Sequence, residues 1–122
     1  MNLMPRILKI RKGDVWIVQL SLTTTNSIGH EIMKTRPCIV YKVNEFVHMY
    51  TIIPLTSTLK IGNLPHTLTI KPSQNNGLTK KSIAMIFQLR SLSFKRFKSK
   101  IGTISCENMI RIKNVLIDYF DL

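Results

Sequence analysis

Acidic residues are scarce in this chain: 6 Asp and Glu stand against 18 Lys and Arg, giving a net charge of +12 over 122 residues. The basic residues run from Arg6 to Lys113 instead of gathering in one tail, which implies a body that is itself basic. Such a surface attracts polyanions, so nucleic acid or an acidic protein is the favoured partner, although charge alone also fits a merely basic soluble protein. Cysteine is sparse too. Cys38 and Cys106 lie far apart with no Cys-x-x-Cys or Cys/His ligand spacing, so no structural zinc site is expected and Cys38 reads as a buried thiol. Long apolar runs are missing as well. The opening MNLMPRILKIRKG is broken by Arg6, Lys9, Arg11 and Lys12 before it reaches the length of a signal-peptide core. The longest uncharged stretch, Phe46 to Leu59, carries Pro54 with Thr and Ser, and falls short of the ~20 apolar residues of a spanning helix. On these absences neither a secretion signal nor a membrane helix is expected, and a cytoplasmic protein is. No repeat, low-complexity run or Gly/Ser linker divides the sequence, so one domain over 1–122 is expected.

What is present is mostly β pattern. Gly13 and Asp14 punctuate the start of VWIVQL, a first strand by its β-branched and aromatic content. SLTTTNSIGHEIMKT has no sustained period and reads as a long surface loop, of the kind that often carries function. RPCIVYKV and VHMYTIIPLT form a hairpin candidate across Asn44, Glu45 and Phe46. STLKIGNLP reads as a second loop, HTLTIKP as a half-buried strand and SQNNGL as a turn. SIAMIFQLRSLS reads as a central strand emerging from the core, FKRFKSK as a single helical turn and IGTI as a last strand. From Ser105 the period changes. Met109, Ile112, Leu116 and Tyr119 recur at helical spacing behind an N-cap serine, with Glu107 favourable to the helix dipole. The apolar stripe, widened by Ile110, Val115, Ile117 and Phe120, fits either a subunit interface or a helix wedged into its own barrel.

Two positions stand out for chemistry. Pro37 pushes Arg36 toward the extended region, fixing it at a strand mouth just after the long loop. There it is either a solvated loop-edge arginine or a rigid five-donor fork matched to phosphate oxygens. Thr56, followed by Ser57 and Thr58, ends an apolar strand; these hydroxyls either satisfy local backbone or donate to an anionic oxygen. In a hairpin the start of one strand neighbours the end of the other, which brings Arg36 beside Thr56.

GDVWIVQL, GHEIMKTRPCIVY, IIPLTST, LPHTLTI, SIAMIFQLRSL and GTISCENM, in that order, resemble the blocks of the MazF/PemK toxins, from about Arg11 to the C-terminus. The resemblance implies a mainly β (α+β) fold, an SH3-like antiparallel barrel with a C-terminal α-helix, and a homodimer. It also implies sequence-specific, ribosome-independent, metal- and cofactor-free cleavage of single-stranded messenger RNA, with neutralisation by an acidic antitoxin. Carried over residue by residue, it makes Arg36 and Thr56 catalytic and places the acid of the Gly-x-Glu loop at Glu31. Gln88 and Arg90 then match RNA-contacting positions, and Ser57, His30 and Lys34 are further RNA-binding candidates. The segment Ile32 to Thr35 departs from the small residues common in the family, and Phe87 stands where some members carry an acid; both bear on which RNA sequence is read. Two alternatives differ in class. One is a gyrase poison of the same fold, which works through a C-terminal tryptophan where this chain ends DYFDL; the other is an RNA-binding barrel without catalysis. His48 and His66 have nothing to place them together, and Trp16 and Tyr41 read as core residues before base-stacking ones.

Overall fold

The apolar strands expected from the sequence pair into one curled sheet. The computed structural model describes residues 9–21, 24–25, 30–31 and 34–122, with the backbone alone at 24–25 and 30–31. Its strands are β1 (Asp14–Gln19), β2 (Thr24–Thr25), β3 (His30–Glu31), β4 (Thr35–Asn44), β5 (Met49–Thr56), β6 (Thr67–Ile70), β7 (Ser82–Met85), β8 (Arg90–Ser93) and β9 (Phe97–Thr103). Helix α1 (Cys106–Tyr119) follows, and 3-10 turns occupy Leu59–Asn63, Ile86–Gln88 and Phe94–Arg96. The main sheet has 7 strands in the order β6-β7-β5-β4-β1-β9, with β8 also paired to β5, and every pair is antiparallel. Because β9 is bonded to β1 and β8 to β5, the 3-residue turn Phe94–Arg96 joins the two ends of a curl. Among the described residues a turn, not a ladder, closes that curl. The expected antiparallel barrel with a C-terminal helix is therefore present in its essentials.

Strand alternation sends side chains into two cores. Val15, Ile39, Ile53 and Leu55 face α1, where they meet Ile112 and Leu116 together with Ile70, Ala84, Ile86 and Ile104. Trp16, Val18, Cys38, Val40, Tyr50 and Ile52 face the interior of the curl, closed by Leu92 and Phe97. Phe97 meets Trp16 and Tyr50 edge to face at centroid distances of 5.8 and 5.3 Å, geometries worth about 0.5–1.5 kcal/mol each beyond area burial. Trp16 and Tyr41 thus belong to packing. Trp16 also donates its indole N–H to Asp14 at 3.1 Å, and Tyr41 packs on the helix-side core with Lys12 Nζ 5.1 Å from its ring centre.

Several expectations need correction. SIAMIFQLRSLS is two strands, β7 and β8, split by the turn Ile86–Gln88; both run antiparallel to β5, β7 along Leu55 and Thr56 and β8 along Met49 to Ile52, in different registers. Between the two ladders β5 moves three residues, from Leu55 to Ile52, while this segment moves six, from Ala84 to Arg90, and the turn takes up the excess. The last strand begins at Phe97, well before IGTI, so that FKRFKSK is a turn only over Phe94–Arg96. His48 lies in the β4–β5 turn with a φ of 55° and not within a strand. STLKIGNLP holds a 3-10 turn, and the long loop after β1 includes the two-pair ladder Thr24–Glu31 and Thr25–His30. Helix α1 starts as expected, Ser105 Oγ accepting the Asn108 N–H at 3.1 Å. Of its wide apolar stripe only Ile112 and Leu116 are buried, whereas Ile110, Ile117 and Phe120 are exposed.

The two thiols provide a check on this packing, since Cys38 is sealed in the curl and Cys106 is exposed. A thiol reagent applied to native protein near neutral pH should label one cysteine per chain quickly and the second only in denaturant. Rapid native labelling of both would contradict the buried register of β4.

Candidate active site

The paired register of β4 and β5 ends at Cys38 and Pro54. Continuing that register by two residues sets Arg36 opposite Thr56, as the antiparallel argument expected. Pro37 lacks the amide hydrogen that a longer ladder would use. Beyond the last pair each strand is held on its other edge: Arg36 lies opposite Val18 of β1, and Thr56 opposite Ile83 of β7. The result is a fork at the mouth of the curl.

A cleft of about 440 Å³ occupies the fork, and both Arg36 and Thr56 line it. Lys34 and Arg90 add two cationic side chains, Gln88 and Thr58 add polar ones, and Leu20, Ile61 and Met85 supply apolar wall. No carboxylate lines it among the described residues, and neither arginine enters an ion pair there. Three positive side chains without a described counter-charge attract anions, the more so where apolar walls exclude water. Thr56 is only 6% exposed, and its Oγ1 accepts the Thr58 N–H at 3.2 Å, which leaves the hydroxyl hydrogen to donate into the cleft.

Beneath the cleft floor Cys38 is 0% exposed, and its thiol donates to the Arg36 carbonyl at 3.6 Å. Burial pushes this thiol up to about 12, against the opposing pull of the Arg36 and then the Arg90 guanidinium. Both arginines are thus close enough to act on one buried sulfur.

Of the residues singled out in the sequence, the cleft gathers Arg36, Thr56, Lys34, Gln88 and Arg90. Ser57 is exposed and is not among the lining residues; Thr58 takes that place, because alternation along the chain after Thr56 turns Ser57 away. The side chains of Glu31 and His30 lie outside the described residues. The backbone of both is in β3, and the bond from Leu20 N–H to the Lys34 carbonyl at 2.8 Å closes the base of the loop that carries them. His48 and His66 lie elsewhere: His48 sits edge-on to Phe94, while His66 Nε2 meets Asp118 at 2.9 Å and its ring packs on Tyr119. Leu20, Ser21, Ile61 and Met85 were not legible as site residues, since they carry no chemical signature and reach the cleft only through tertiary packing.

Residues 11–120 match the model of the PemK-like, MazF-like toxins of type II toxin-antitoxin systems. The chain belongs to this family. It is 27% identical over 110 residues to the endoribonuclease MazF of Staphylococcus epidermidis, covering 88% of each chain. Among solved structures it is similar to an endoribonuclease in complex with its cognate antitoxin from a mycobacterial species, with a TM-score of 0.71 at 15% identity over 93% of this chain and 97% of that one. MazF from Deinococcus radiodurans gives a TM-score of 0.69 at 18% identity, over 90% of this chain and 94% of the other. These structures share the fold. The MazF/PemK blocks read in the sequence fall where the fold needs them: the Arg-Pro strand start opens β4, and IIPLTST ends β5 at the cleft.

The Cys38 thiol gives the site a measurable pH signature. Folded, it holds its proton well above the ordinary value of about 8.5, so its contribution to stability is complete below that pH and is lost as pH climbs toward 12. Urea unfolding of the wild type and Cys38→Ala from pH 8 to 11 should show the wild-type advantage shrinking by up to about 1.4 kcal/mol per pH unit above 8.5. A constant difference would mean that the thiol beneath Arg36 is not desolvated.

Proposed function

We propose that this MazF/PemK family member is a toxin that cuts single-stranded messenger RNA at specific sequences, without the ribosome and without a metal ion. The observation that carries the reading is the meeting of Arg36 and Thr56 in one cleft with Arg90 and Lys34, in a chain of this family. A phosphodiester seated there would have its non-bridging oxygens among cationic and hydroxyl donors. As the 2′-oxygen attacks the adjacent phosphorus and the bond to the 5′-oxygen breaks, charge grows on those oxygens. The products are a 2′,3′-cyclic phosphate and a 5′-hydroxyl. Preorganised donors aimed at growing charge are usually the largest catalytic term. Arg36 supplies a charged fork and Thr56 a hydroxyl. The side chains already carry the positive charge that a metal would otherwise bring.

Arginine is a poor proton acceptor because its pKa above ~12 leaves almost none of it neutral. We assign that task to Glu31, which would accept or orient the 2′ proton. Gln88, Arg90 and Lys34 would hold flanking nucleotides, with Ser57 and His30 as outer contacts. We further propose a homodimer and an acidic antitoxin. In support, the helix-side surface keeps Ile110, Ile117, Phe120 and Leu122 exposed, and the chain's +12 charge suits both an RNA and an acidic protein. That one structural neighbour is an endoribonuclease bound to its cognate antitoxin favours the same arrangement. We place this activity in the cytoplasm and in a single domain spanning 1–122. Among the described residues no helix is long and apolar enough to cross a membrane. The gyrase-poison alternative finds no support, since the single tryptophan, Trp16, is 5% exposed within the curl.

Purified protein incubated with a mixed single-stranded RNA pool and a chelator should produce cuts at a recurring sequence, each leaving a 5′-hydroxyl end. Arg36→Ala should lower the cleavage rate by roughly 10²- to 10³-fold while retaining much of the RNA affinity. Equal loss of binding and cleavage would favour an RNA-binding barrel without catalysis. The Glu31 assignment has its own check: Glu31→Gln should slow cleavage and remove the acidic limb of the pH profile, and an unchanged rate and profile would withdraw it.

A further inference from the structure

The wall of the cleft formed by Leu20 and Ser21 hangs on a side chain that does not itself line the cleft. The ladder between β1 and β9 ends at the pair Val18 and Phe97, whereas β1 continues beside β4 to the pair Gln19 and Thr35. On the β4 side the exit of β1 is bonded through Leu20 N–H to the Lys34 carbonyl at 2.8 Å. On the β9 side the backbone has already turned away into Phe94–Arg96. From that turn Arg96 sends its guanidinium back, one Nη1 donating to the Gln19 carbonyl at 3.2 Å and to the Leu20 carbonyl at 3.0 Å. A third tie, Gln19 Nε2 to the Ser21 carbonyl at 3.3 Å, stitches the same neck.

We propose that Arg96 is a positioning residue for RNA cleavage: bonding the Gln19 and Leu20 carbonyls, it fixes the cleft wall against which the RNA is aligned. Resting on the reading of the cleft as an RNA site, this assigns a function to a basic residue otherwise counted only in the overall charge. The geometry suits the role. Arg96 is half-buried, and among the described residues it pairs with no carboxylate, so its charge is spent on two backbone oxygens. Charge-assisted bonds of this kind are about twice as strong as neutral ones, and a two-hydrogen nitrogen can hold both acceptors at once. The neck also precedes the loop that returns to Lys34 and Arg36. A shift of the neck would therefore displace the wall at Leu20 and Ser21 relative to the donors at Arg36 and Thr56.

The test compares wild type, Arg96→Met and Arg96→Lys, by steady-state cleavage of a single-stranded RNA carrying the recognition sequence across a salt series. Hydrogen exchange of the Leu20 amide is followed in parallel. Arg96→Met should lose roughly 10- to 100-fold in kcat, the scale of a displacement of about 1 Å. Its KM should stay within about twofold and its salt slope should not change. The Leu20 amide should exchange faster, and Arg96→Lys, which keeps a charged donor, should recover most of both losses. A raised KM with intact kcat and a log-log salt slope shallower by about 0.7 would make Arg96 a phosphate contact and overturn the proposal. So would equal losses in the Met and Lys variants, or unchanged kcat and exchange. Should Arg96→Met not fold, Arg96→Gln carries the same comparison. If the wild type itself cuts no RNA, the nuclease reading fails separately, while exchange at Leu20 still reports whether Arg96 braces the neck.

Discussion

The end of one ladder governs the rest of this molecule. β4 and β5 run side by side as far as Cys38 and Pro54, and there they part, β4 staying with β1 and β5 taking up β7. Antiparallel alternation sends Arg36 and Thr56 to the same face as Cys38 and Pro54, so the two side chains project into the gap opened by the parting strands. A strand pair that continued unbroken would fill the gap with backbone. Pro37 works against that by removing a donor where the strands part.

Two cores hold the fork rigid. On one face Val15, Ile39, Ile53 and Leu55 pack beneath α1, and on the other Trp16, Val18, Val40 and Ile52 are wrapped by Leu92 and Phe97. The central strands are thus gripped from both sides, with the site at their ends, where side chains can reach solvent while the backbone cannot drift. Such placement suits electrostatic catalysis, which depends on donors that need no reorganisation when charge develops. It also accounts for the buried cysteine under the arginine. Cys38 fills core volume and donates to the Arg36 carbonyl, supporting the arginine's backbone from below.

Much of this was legible in the residues. VWIVQL, the Arg-Pro strand start, the hairpin to IIPLT and the Ser105-capped helix each announce themselves by period or punctuation, and the pairing of Arg36 with Thr56 follows from hairpin geometry alone. The break in SIAMIFQLRSLS was not legible, because SIAM before the Ile86–Gln88 turn and RSLS after it both suit a strand, and only the change of register along β5 reveals the turn between them. FKRFKSK misled in the other direction. Its lysines suit a helical turn, yet Lys98 and Lys100 lie on β9, which pairs with β1. The walls of the cleft were hidden for a different reason: Leu20, Ile61 and Met85 look like any core residue until the chain is folded. Arg96 was hidden among 18 basic residues, since nothing local marks an arginine whose acceptors lie 76 and 77 positions away.

The excess of positive charge becomes specific only through this geometry. A net charge of +12 draws polyanions to the whole surface, but the fork is where cations, a hydroxyl and apolar walls converge without a described carboxylate to neutralise them. The most direct measurement is a crystal structure of the chain with an RNA carrying its recognition sequence and a 2′-deoxy nucleotide at the scissile step. The account predicts one phosphate within hydrogen-bond reach of both the Arg36 guanidinium and the Thr56 hydroxyl. A scissile phosphate bound elsewhere, with the fork empty or Arg36 and Thr56 turned to different groups, would contradict it.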